Sequence, residues 1–254
     1  MINIKPIKAF NDNYIWLVTT NEGSIVIDPG ESNNLINFID LNKYKLEAIL
    51  ITHHHFDHTG GINDLITRYD IDVYGPTNNI NLINKRLKEG DKLSIIGLEF
   101  EVIEVPGHTL DHIAYYCNNN GSPILFSGDT LFSGGCGRVF EGSYQQMYNS
   151  IKKLKNLPKN TQIYCGHEYT ISNLEFAKTV EPFNKDIISS YNNALNLQNN
   201  NIPTLPTFLS SELKINPFLR SDIKEVQANI IEKFKTDKGE EKIFTAIRKW
   251  KDNF

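Results

Sequence analysis

Residues 52–58 read Thr-His-His-His-Phe-Asp-His and bring imidazole and carboxylate groups together within a few positions. The apolar run before them is predicted to be a strand, in which side chains two residues apart point to the same side. His53 and His55 are therefore expected to reach one metal ion. Asp57 and His58, just beyond the strand end, are expected to reach a second ion. Such dense packing of metal-binding groups predicts a two-metal site at the end of this strand.

Composition limits the class of protein. The chain has 254 residues, 40% of them hydrophobic, and a net charge of −4, so it is long enough for a substantial core in one large or two small domains. Mixed charges with an acidic balance argue against a nucleic-acid partner. The sequence shows neither a signal-peptide pattern nor roughly 18 consecutive apolar residues, so we expect no secretion and no membrane span. Three cysteines without a disulfide spacing favour free thiols and a cytoplasmic location.

Hydrophobic periodicity predicts two regions of different character. Strands are predicted over 14–20, 24–28, 46–51, 92–96, 99–105, 113–117, 124–127 and 163–165, with helices over 33–41, 59–69 and 145–157. Beyond residue 170 we predict helices over 172–180, 185–199, 222–234 and 240–251, separated by an irregular stretch with Pro203, Pro206 and Pro217. The pattern predicts a strand-rich domain over residues 1–170 and a helical domain over residues 171–254.

Three further candidate ligands follow predicted strands and a glycine. His108 follows Val-Pro-Gly, Asp129 follows Ser-Gly, and His167 follows Cys-Gly. Glycine allows the backbone to turn sharply, so the next side chain can face a shared cleft. Zinc binds His nitrogens and carboxylate oxygens, and catalytic sites keep one position open for water.

Other polar groups near the cluster have simpler explanations. His54 is expected to point away from the site because its neighbours on both sides point in. His112, one residue past Asp111 at a strand start, is expected to be a core histidine. For Asp57 the alternative role is a helix N-cap, for which Thr59 is a rival.

Four motifs in chain order resemble those of the metallo-β-lactamase superfamily. They are Thr-His-His-His-Phe-Asp-His at 52–58, Pro-Gly-His-Thr at 106–109, Gly-Asp-Thr-Leu-Phe at 128–132 and Cys-Gly-His-Glu-Tyr at 165–169. Three more resemble its glyoxalase II branch, the hydroxyacylglutathione hydrolases: Gly-Cys-Gly-Arg-Val-Phe-Glu-Gly at 135–142, Asn-Pro-Phe-Leu-Arg at 216–220 and Arg-Lys-Trp-Lys-Asp at 248–252. The resemblance runs from near residue 10 to the C-terminus.

The resemblance implies an α+β fold, namely a metallo-β-lactamase αββα sandwich followed by a small C-terminal all-α domain. It implies a first metal held by His53, His55 and His108, a second held by Asp57, His58 and His167, and Asp129 as the bridge between them. Two divalent ions are expected, with zinc as the first candidate and iron or manganese also compatible with these ligands. Asp57 and Asp129 would be the catalytic carboxylates beside a metal-bridging hydroxide.

Such a site suits hydrolysis of an activated acyl group. Two metals that share a water lower its pKa toward ~7, so no serine or cysteine nucleophile is needed. A thiol leaving group with a pKa near ~8.5 departs as thiolate with little help. Cys136 and Cys165 lie in glycine turns and are interpreted as structural. The resemblance implies hydrolysis of S-(2-hydroxyacyl)glutathione, with S-D-lactoylglutathione giving D-lactate and glutathione in methylglyoxal detoxification.

Glutathione carries two carboxylates, which arginine side chains bind bidentately. The resemblance places Arg138, Phe140, Tyr169, Arg248 and Lys251 in the glutathione site. Arg138 stands where many members have Lys, and Phe140 where many have Tyr, which removes a hydroxyl. Arg248 and Lys251 are three residues apart and share one face of the last helix. A solvated helix end, where the helix dipole favours cations, is the alternative for this pair.

Three other functions account for fewer of these features. A glutathione persulfide dioxygenase of the same fold would use one iron and not the second metal's ligands, whereas Asp57, His58 and the helical tail favour the hydrolase. A nucleic-acid-processing relative is disfavoured by the acidic balance, and a binding module without turnover by the complete ligand set. The expected partner is a small-molecule glutathione thioester, with no nucleic acid and no membrane, and the chain is expected to be a monomer.

Overall fold

The computed structural model describes residues 2–254. The chain divides into two compact units. One contains the residues up to Glu104 together with Asp111–Gly128, and the other contains Val105–Leu110 together with Asp129–Phe254. The short segment 105–110 therefore belongs to the second unit, although residues of the first unit flank it in sequence. Among the described residues, none of the helices combines the length and the apolar character that crossing a membrane requires.

A mixed sheet forms one half of the first unit. Its strands follow chain order: β1 (Asn3–Ala9), β2 (Asn13–Thr20), β3 (Gly23–Ile27), β4 (Leu46–Leu50), β5 (Asp72–Pro76) and β6 (Lys85–Leu87). Strands β1 to β3 pair antiparallel, whereas β3 to β6 pair in parallel. Parallel neighbours need a crossover connection. The helices α1 (Asn33–Asn42), α2 (Phe56–Thr59) and α3 (Ile62–Tyr69) lie within these connections.

Antiparallel strands complete the first unit. They are β7 (Lys92–Ile95), β8 (Leu98–Glu104), β9 (Ile113–Asn119) and β10 (Ser122–Gly128), paired in the order β10-β9-β8-β7. Asn120 and Gly121 join β9 to β10 with φ of 47° and 85°. Positive φ at both positions is typical of the two-residue turn that Asn-Gly favours in hairpins.

Helix α1 and helix α3 supply apolar stripes to the core beside the mixed sheet. Leu35 and Ile39 are four residues apart, Ile62 and Leu65 are three apart, and all are at most 1% exposed. They belong to one cluster with the strand residues Leu17, Val26 and Ile49. Full burial of each such side chain contributes about 1.5–3 kcal/mol. This packing supports the strand end that carries the histidine cluster.

The second unit is mainly helical. Its elements are the hairpin β11 (Leu131–Phe132) and β12 (Gly135–Cys136), then α4 (Tyr144–Lys155), β13 (Gln162–Cys165), α5 (Thr170–Val180), α6 (Lys185–Asn199), β14 (Thr207–Phe208), α7 (Leu209–Ile215), a 3-10 turn (Pro217–Leu219), α8 (Lys224–Phe234) and α9 (Glu240–Asp252). Ser143 and Gln146 form a capping box at the start of α4, which satisfies two otherwise unpaired backbone amides. Helix α9 packs against α4 and α8, and α5 packs against α6.

Several elements differ from the predicted ones, and the strands β1, β5 and β6 were not predicted. The helix predicted over 59–69 is two helices, α2 and α3, because the glycine pair between them packs against the turn after β3. A Cβ at Gly60 would lie 2.5 Å from the carbonyl oxygen of Gly30. The proline-containing stretch predicted to be irregular contains α7. Asp57 does not cap a helix, since α2 begins after His55 as its N-cap.

Candidate metal centre

The first unit brings four predicted ligands together after β4. His53 Nε2 lies 3.1 Å from His55 Nδ1. The ring of His58 is 4.2 Å from that of His53, and its Nε2 is 3.6 Å from Asp57 Oδ2. The His54 ring is engaged elsewhere, because its Nδ1 pairs with Asp111 Oδ1 at 2.9 Å. Local chain geometry thus gathers the predicted donors and directs His54 to a separate partner, as the alternation predicts.

Asp28 sets the protonation of two of these rings. This buried carboxylate accepts hydrogen bonds from the Thr52 backbone amide at 2.8 Å and from the Thr52 hydroxyl at 2.7 Å, and it lies 3.0 Å from His58 Nδ1. Because the single Thr52 hydroxyl proton points to Asp28, the Thr52 oxygen accepts from His53 Nδ1 at 3.0 Å. Both rings then carry their proton on Nδ1 and present a lone pair on Nε2, the form that binds a metal.

The spacing of the His53 and His55 nitrogens fits a shared cation. Two nitrogens bound to a tetrahedral zinc at about 2.0–2.1 Å lie about 3.3 Å apart. The observed separation of 3.1 Å is close to this value. The same distance suits a hydrogen bond donated by His55 Nδ1 when no ion is bound.

The second unit brings the other three predicted ligands together. Asp129 Oδ2 lies 3.5 Å from His108 Nε2 and 3.2 Å from His167 Nε2. His108 Nδ1 donates to the carbonyl oxygen of Arg138 at 2.8 Å, so its Nε2 presents the lone pair. All three ligands are buried. A carboxylate flanked by two imidazoles is the arrangement expected of a bridging ligand.

Two glycines make the backbone around Asp129 possible. Gly128 has a φ of +47°, and a Cβ there would lie 2.5 Å from Thr52 Oγ1. Gly137 donates its amide to the Thr130 carbonyl at 3.1 Å, and a Cβ at Gly137 would lie 1.9 Å from the Asp129 carbonyl oxygen. The hairpin β11–β12 therefore folds back onto the Asp129 backbone only with glycine at this position.

Arg248 is not at a solvated helix end. It is 3% exposed and donates Nη1 to the Cys136 carbonyl oxygen at 2.7 Å. Its Nε and Nη2 pair with Asp252 Oδ1 at 3.1 and 3.0 Å, and its guanidinium lies 5.0 Å from the Phe218 ring centroid. Arg248 is thus a fixed, largely desolvated cation.

The other predicted glutathione contacts differ in exposure. The Arg138 side chain is 54% exposed and pairs with Asp252. Phe140 is 60% exposed and lies edge-on to His108, with ring centroids 5.2 Å apart. Tyr169 stacks on His167 at 4.7 Å. Phe140 and Tyr169 therefore each lie against the ring of a predicted metal ligand.

Lys251 is a partly buried ammonium. Its Nζ lies 5.2 Å from the Phe176 ring centroid. Burial, with a smaller contribution from the neighbouring Arg248 charge, lowers the pKa of Lys251 to about 8. Lys251 therefore titrates close to neutral pH.

Cys117, Cys136 and Cys165 form no disulfide, as predicted, and all three are buried. Burial raises the pKa of Cys136 to about 11 and raises that of Cys165 further still. Thiols with raised pKa values are poor nucleophiles near neutral pH, since the thiolate is the reactive form. The structural interpretation of both residues therefore stands.

Two residues that support the candidate ligands are not among the predicted site residues. Asp28 ends the strand predicted over 24–28 and was given no role in the site, although a carboxylate beside a histidine cluster typically orients a metal-binding imidazole. Asn13 donates Nδ2 to Asp57 Oδ2 at 2.9 Å. Nothing in the local sequence around Asn13 indicates this role, because its partner lies 44 positions away.

Family models match the whole length from residue 10. Residues 10–167 match the Metallo-beta-lactamase superfamily, and residues 168–254 match the Hydroxyacylglutathione hydrolase C-terminus. A protein of Nitrosomonas europaea named hydroxyacylglutathione hydrolase is 44% identical over 262 residues, covering 100% of this chain and 97% of the relative. A Vibrio campbellii protein of the same name is also 44% identical and covers 100% of both chains.

Solved structures show the same fold at lower identity. ETHE1 from Myxococcus xanthus superimposes with a TM-score of 0.65 at 21% identity, covering 98% of each chain. BLEG-1 B3 metallo-β-lactamase gives a TM-score of 0.64 at 22% identity, covering 86% of this chain and 99% of the other. The predicted α+β fold, a metallo-β-lactamase fold followed by a helical C-terminal domain, is confirmed.

The fold, together with His and Asp groups able to hold metal ions, defines a metallo-β-lactamase superfamily protein and supports a binuclear metal site. The chain is 44% identical over its full length to the two named relatives, and its C-terminal region matches the family model specific to them. The chain belongs to the hydroxyacylglutathione hydrolase family.

Proposed function

We propose that this protein hydrolyses S-(2-hydroxyacyl)glutathione thioesters, with S-D-lactoylglutathione as substrate and D-lactate and glutathione as products. The observation that carries the proposal is 44% identity over the full chain to hydroxyacylglutathione hydrolases, including the family-specific C-terminal domain. The reaction would complete methylglyoxal detoxification. The metal-dependent thioester hydrolase class follows from the same membership.

The proposed ligand sets follow the motifs that the chain shares with its family. One ion would be held by His53, His55 and His108, the other by Asp57, His58 and His167, and Asp129 would bind both. Three features support this: the converging nitrogens, the Nδ1 protons held by Asp28, Thr52 and the Arg138 carbonyl, and the family membership. Zinc is the proposed metal, with iron or manganese as alternatives that the ligands also accept.

The metal pair supplies a Lewis acid and a water activated at neutral pH. The chain's own residues orient and position the carboxylates of the proposed site. Asn13 fixes the Asp57 carboxylate through its 2.9 Å hydrogen bond, and His108 and His167 flank the Asp129 carboxylate. We assign Asp57 and Asp129 as the catalytic carboxylates. The leaving thiolate needs no general acid, since its pKa is near ~8.5.

Glutathione recognition is assigned to Arg138, Phe140, Tyr169, Arg248 and Lys251. The two exposed or partly exposed cations, Arg138 and Lys251, suit direct pairing with carboxylates. Arg248 adds a fixed positive charge with little exposed surface. The aromatic rings of Phe140 and Tyr169 provide apolar contact beside the ligand histidines.

The functional division proposed is a catalytic domain over 1–170 and a helical domain over 171–254 that contributes Arg248 and Lys251. Family models that meet between residues 167 and 168 support it. We further propose a cytoplasmic monomer that acts on a small-molecule thioester and has no nucleic-acid partner. The net charge of −4 supports the last point.

The direct test is thiol release from S-D-lactoylglutathione by the purified, metal-loaded protein. We expect release that depends on enzyme concentration and stops after chelation. In parallel, oxygen uptake with glutathione persulfide is expected to be absent. Oxygen uptake with one iron per chain and no thiol release would instead identify a persulfide dioxygenase.

The pH dependence of substrate binding should report Lys251. With its pKa near about 8, the ammonium is charged and able to bind a carboxylate below that pH, and it is neutral above. We expect KM for the glutathione thioester to rise by up to about tenfold from pH 7 to pH 9, since only about a tenth of the molecules keep the charge one unit above the pKa. The measurement is KM across this range after subtraction of spontaneous hydrolysis.

Lys251→Arg is the matched control, because a guanidinium stays protonated at pH 9. Its KM should be flat over the same range. A rise of equal size in this variant would show that another group causes the pH dependence.

A further inference from the structure

Asp252 is an acidic residue in an unfavourable position. It is the last residue of α9, where the helix dipole disfavours negative charge. The helix dipole therefore does not account for a carboxylate here. Its side chain is 19% exposed, so its charge is also partly removed from solvent.

The contacts of Asp252 explain why a carboxylate lies at the end of α9. Its Oδ1 pairs with Arg248 Nε at 3.1 Å and Nη2 at 3.0 Å. The same oxygen lies 3.5 Å from Arg138 Nε, and the Asp252 carbonyl oxygen accepts from Arg138 Nη2 at 3.2 Å. The Tyr144 hydroxyl lies 3.5 Å from Oδ2. One acidic residue thus contacts two guanidinium groups that are 110 positions apart in sequence.

The side chains around Asp252, counted together with its own carboxylate, carry a net positive charge. Arg138 and Arg248 contact it directly, and Lys251 precedes it in the chain. Three cations and one carboxylate leave a net charge of about +2 when Lys251 is protonated. The glutathione part of the substrate carries two carboxylates and one ammonium group, so its net charge is negative, and cations held close together can bind one of its carboxylates.

We propose that Asp252 is a positioning residue that holds the Arg138 and Arg248 guanidinium groups together for recognition of the carboxylates of glutathione. The inference rests on the proposed function. Without the Asp252 carboxylate the half-exposed Arg138 side chain keeps only its hydrogen bond to the Asp252 carbonyl oxygen, and the three cations repel one another. Ordering the cations before binding lowers the entropy lost when the substrate binds. The role concerns substrate affinity.

The test separates positioning from a structural role by comparing two thioesters. One is S-D-lactoylglutathione, and the other is the D-lactoyl thioester of N-acetylcysteamine, whose thiol part has no charge. Asp252→Asn keeps the shape and removes the charge. We expect kcat/KM for the glutathione thioester to fall about tenfold or more, mainly through KM, since hydrogen bonds to charged groups contribute this much. For the uncharged thioester we expect no change.

Two further variants sharpen the comparison. Asp252→Glu, which restores the charge, should recover much of the affinity for the glutathione thioester. Asp237→Asn removes the same charge from an exposed residue, 77% accessible and paired with Lys242, and should behave as wild type. Thermal unfolding of all variants shows whether each is folded. If Asp252→Asn is not folded, the comparison of the two thioesters is made with Asp252→Glu.

Each outcome decides between the proposals. Equal losses on both thioesters, or a loss in kcat alone, would show a structural role and overturn the positioning role. Unchanged kinetics in Asp252→Asn would overturn it as well, while leaving the proposed hydrolase intact. If wild-type protein hydrolyses neither thioester, the proposed function is wrong and the role of Asp252 fails with it.

Discussion

Replacing His53 with alanine is expected to lower hydrolysis of S-D-lactoylglutathione by about 10³-fold or more. His53 presents its Nε2 lone pair beside His55 Nδ1 at 3.1 Å, and its other nitrogen is held by Thr52. Removing this ring removes a proposed ligand from the first ion. A Lewis acid contributes several kcal/mol to such a reaction, and each 1.36 kcal/mol lost costs a factor of ten in rate. Thiol release and bound metal per chain, measured on the same sample, test the expectation.

His54→Ala is the matched control from the same stretch. The His54 ring pairs with Asp111 and is 35% exposed, so its loss removes an imidazole without removing a proposed ligand. This variant should keep near wild-type activity and metal content. Equal rates for His53→Ala and wild-type protein, or full activity in a metal-free sample, would refute the proposed metal site.

Replacing Glu212 with alanine is expected to lower the free energy of unfolding by about 3–5 kcal/mol. Glu212 is fully buried, and its carboxylate accepts hydrogen bonds from Ser133 Oγ at 3.0 Å, Gly134 N at 2.8 Å, Thr207 Oγ1 at 2.8 Å and Asn216 Nδ2 at 3.1 Å. Burial raises the pKa of this carboxyl group, and these donors oppose that rise. Alanine would remove this acceptor from all four donors, and of these Asn216 Nδ2 keeps other acceptors, the carbonyl oxygens of Phe132 and Gly135.

Urea denaturation of Glu212→Ala measures this loss. The control is Glu175→Ala, which removes an exposed carboxylate that accepts one hydrogen bond from Tyr191. Surface changes of this kind usually lie within about 0.5 kcal/mol of wild type. A loss at Glu212 no larger than at Glu175 would show that the buried donors find other partners.

Glu212 also links α7 to the hairpin that follows Asp129. Ser133 and Gly134 form the turn of that hairpin, and Asn216 donates to the Phe132 and Gly135 carbonyl oxygens at 3.1 and 2.9 Å. Helical residues thereby hold the hairpin that ends beside Gly137 and Arg138. This connection explains how a helical C-terminal region supports residues near the proposed metal ligands.

Local patterns in the sequence determined much of what was predicted correctly. Helix α6 spans Lys185–Asn199, the predicted range, because its apolar spacing and the Asn184 cap both lie within a few residues. The histidine cluster follows the same logic, since alternation along an extended segment alone separates His54 from its neighbours. Interactions between residues close in sequence leave a pattern that a single chain reveals.

Only the tertiary structure decided which polar residues support the sites. Asp28 meets His58 across 30 positions, Glu212 meets Ser133 across 79, and Arg248 meets Cys136 across 112. Such pairs leave no periodic signal, because each partner is set by how distant segments pack. The same cause interrupts the helix predicted over 59–69, where glycines accommodate the turn after β3. The sequence by itself therefore determined the candidate ligands and most helices. Packing of distant segments decided which nitrogen of each ligand histidine carries the proton, how deeply the ligands are buried, and which carboxylates contact them.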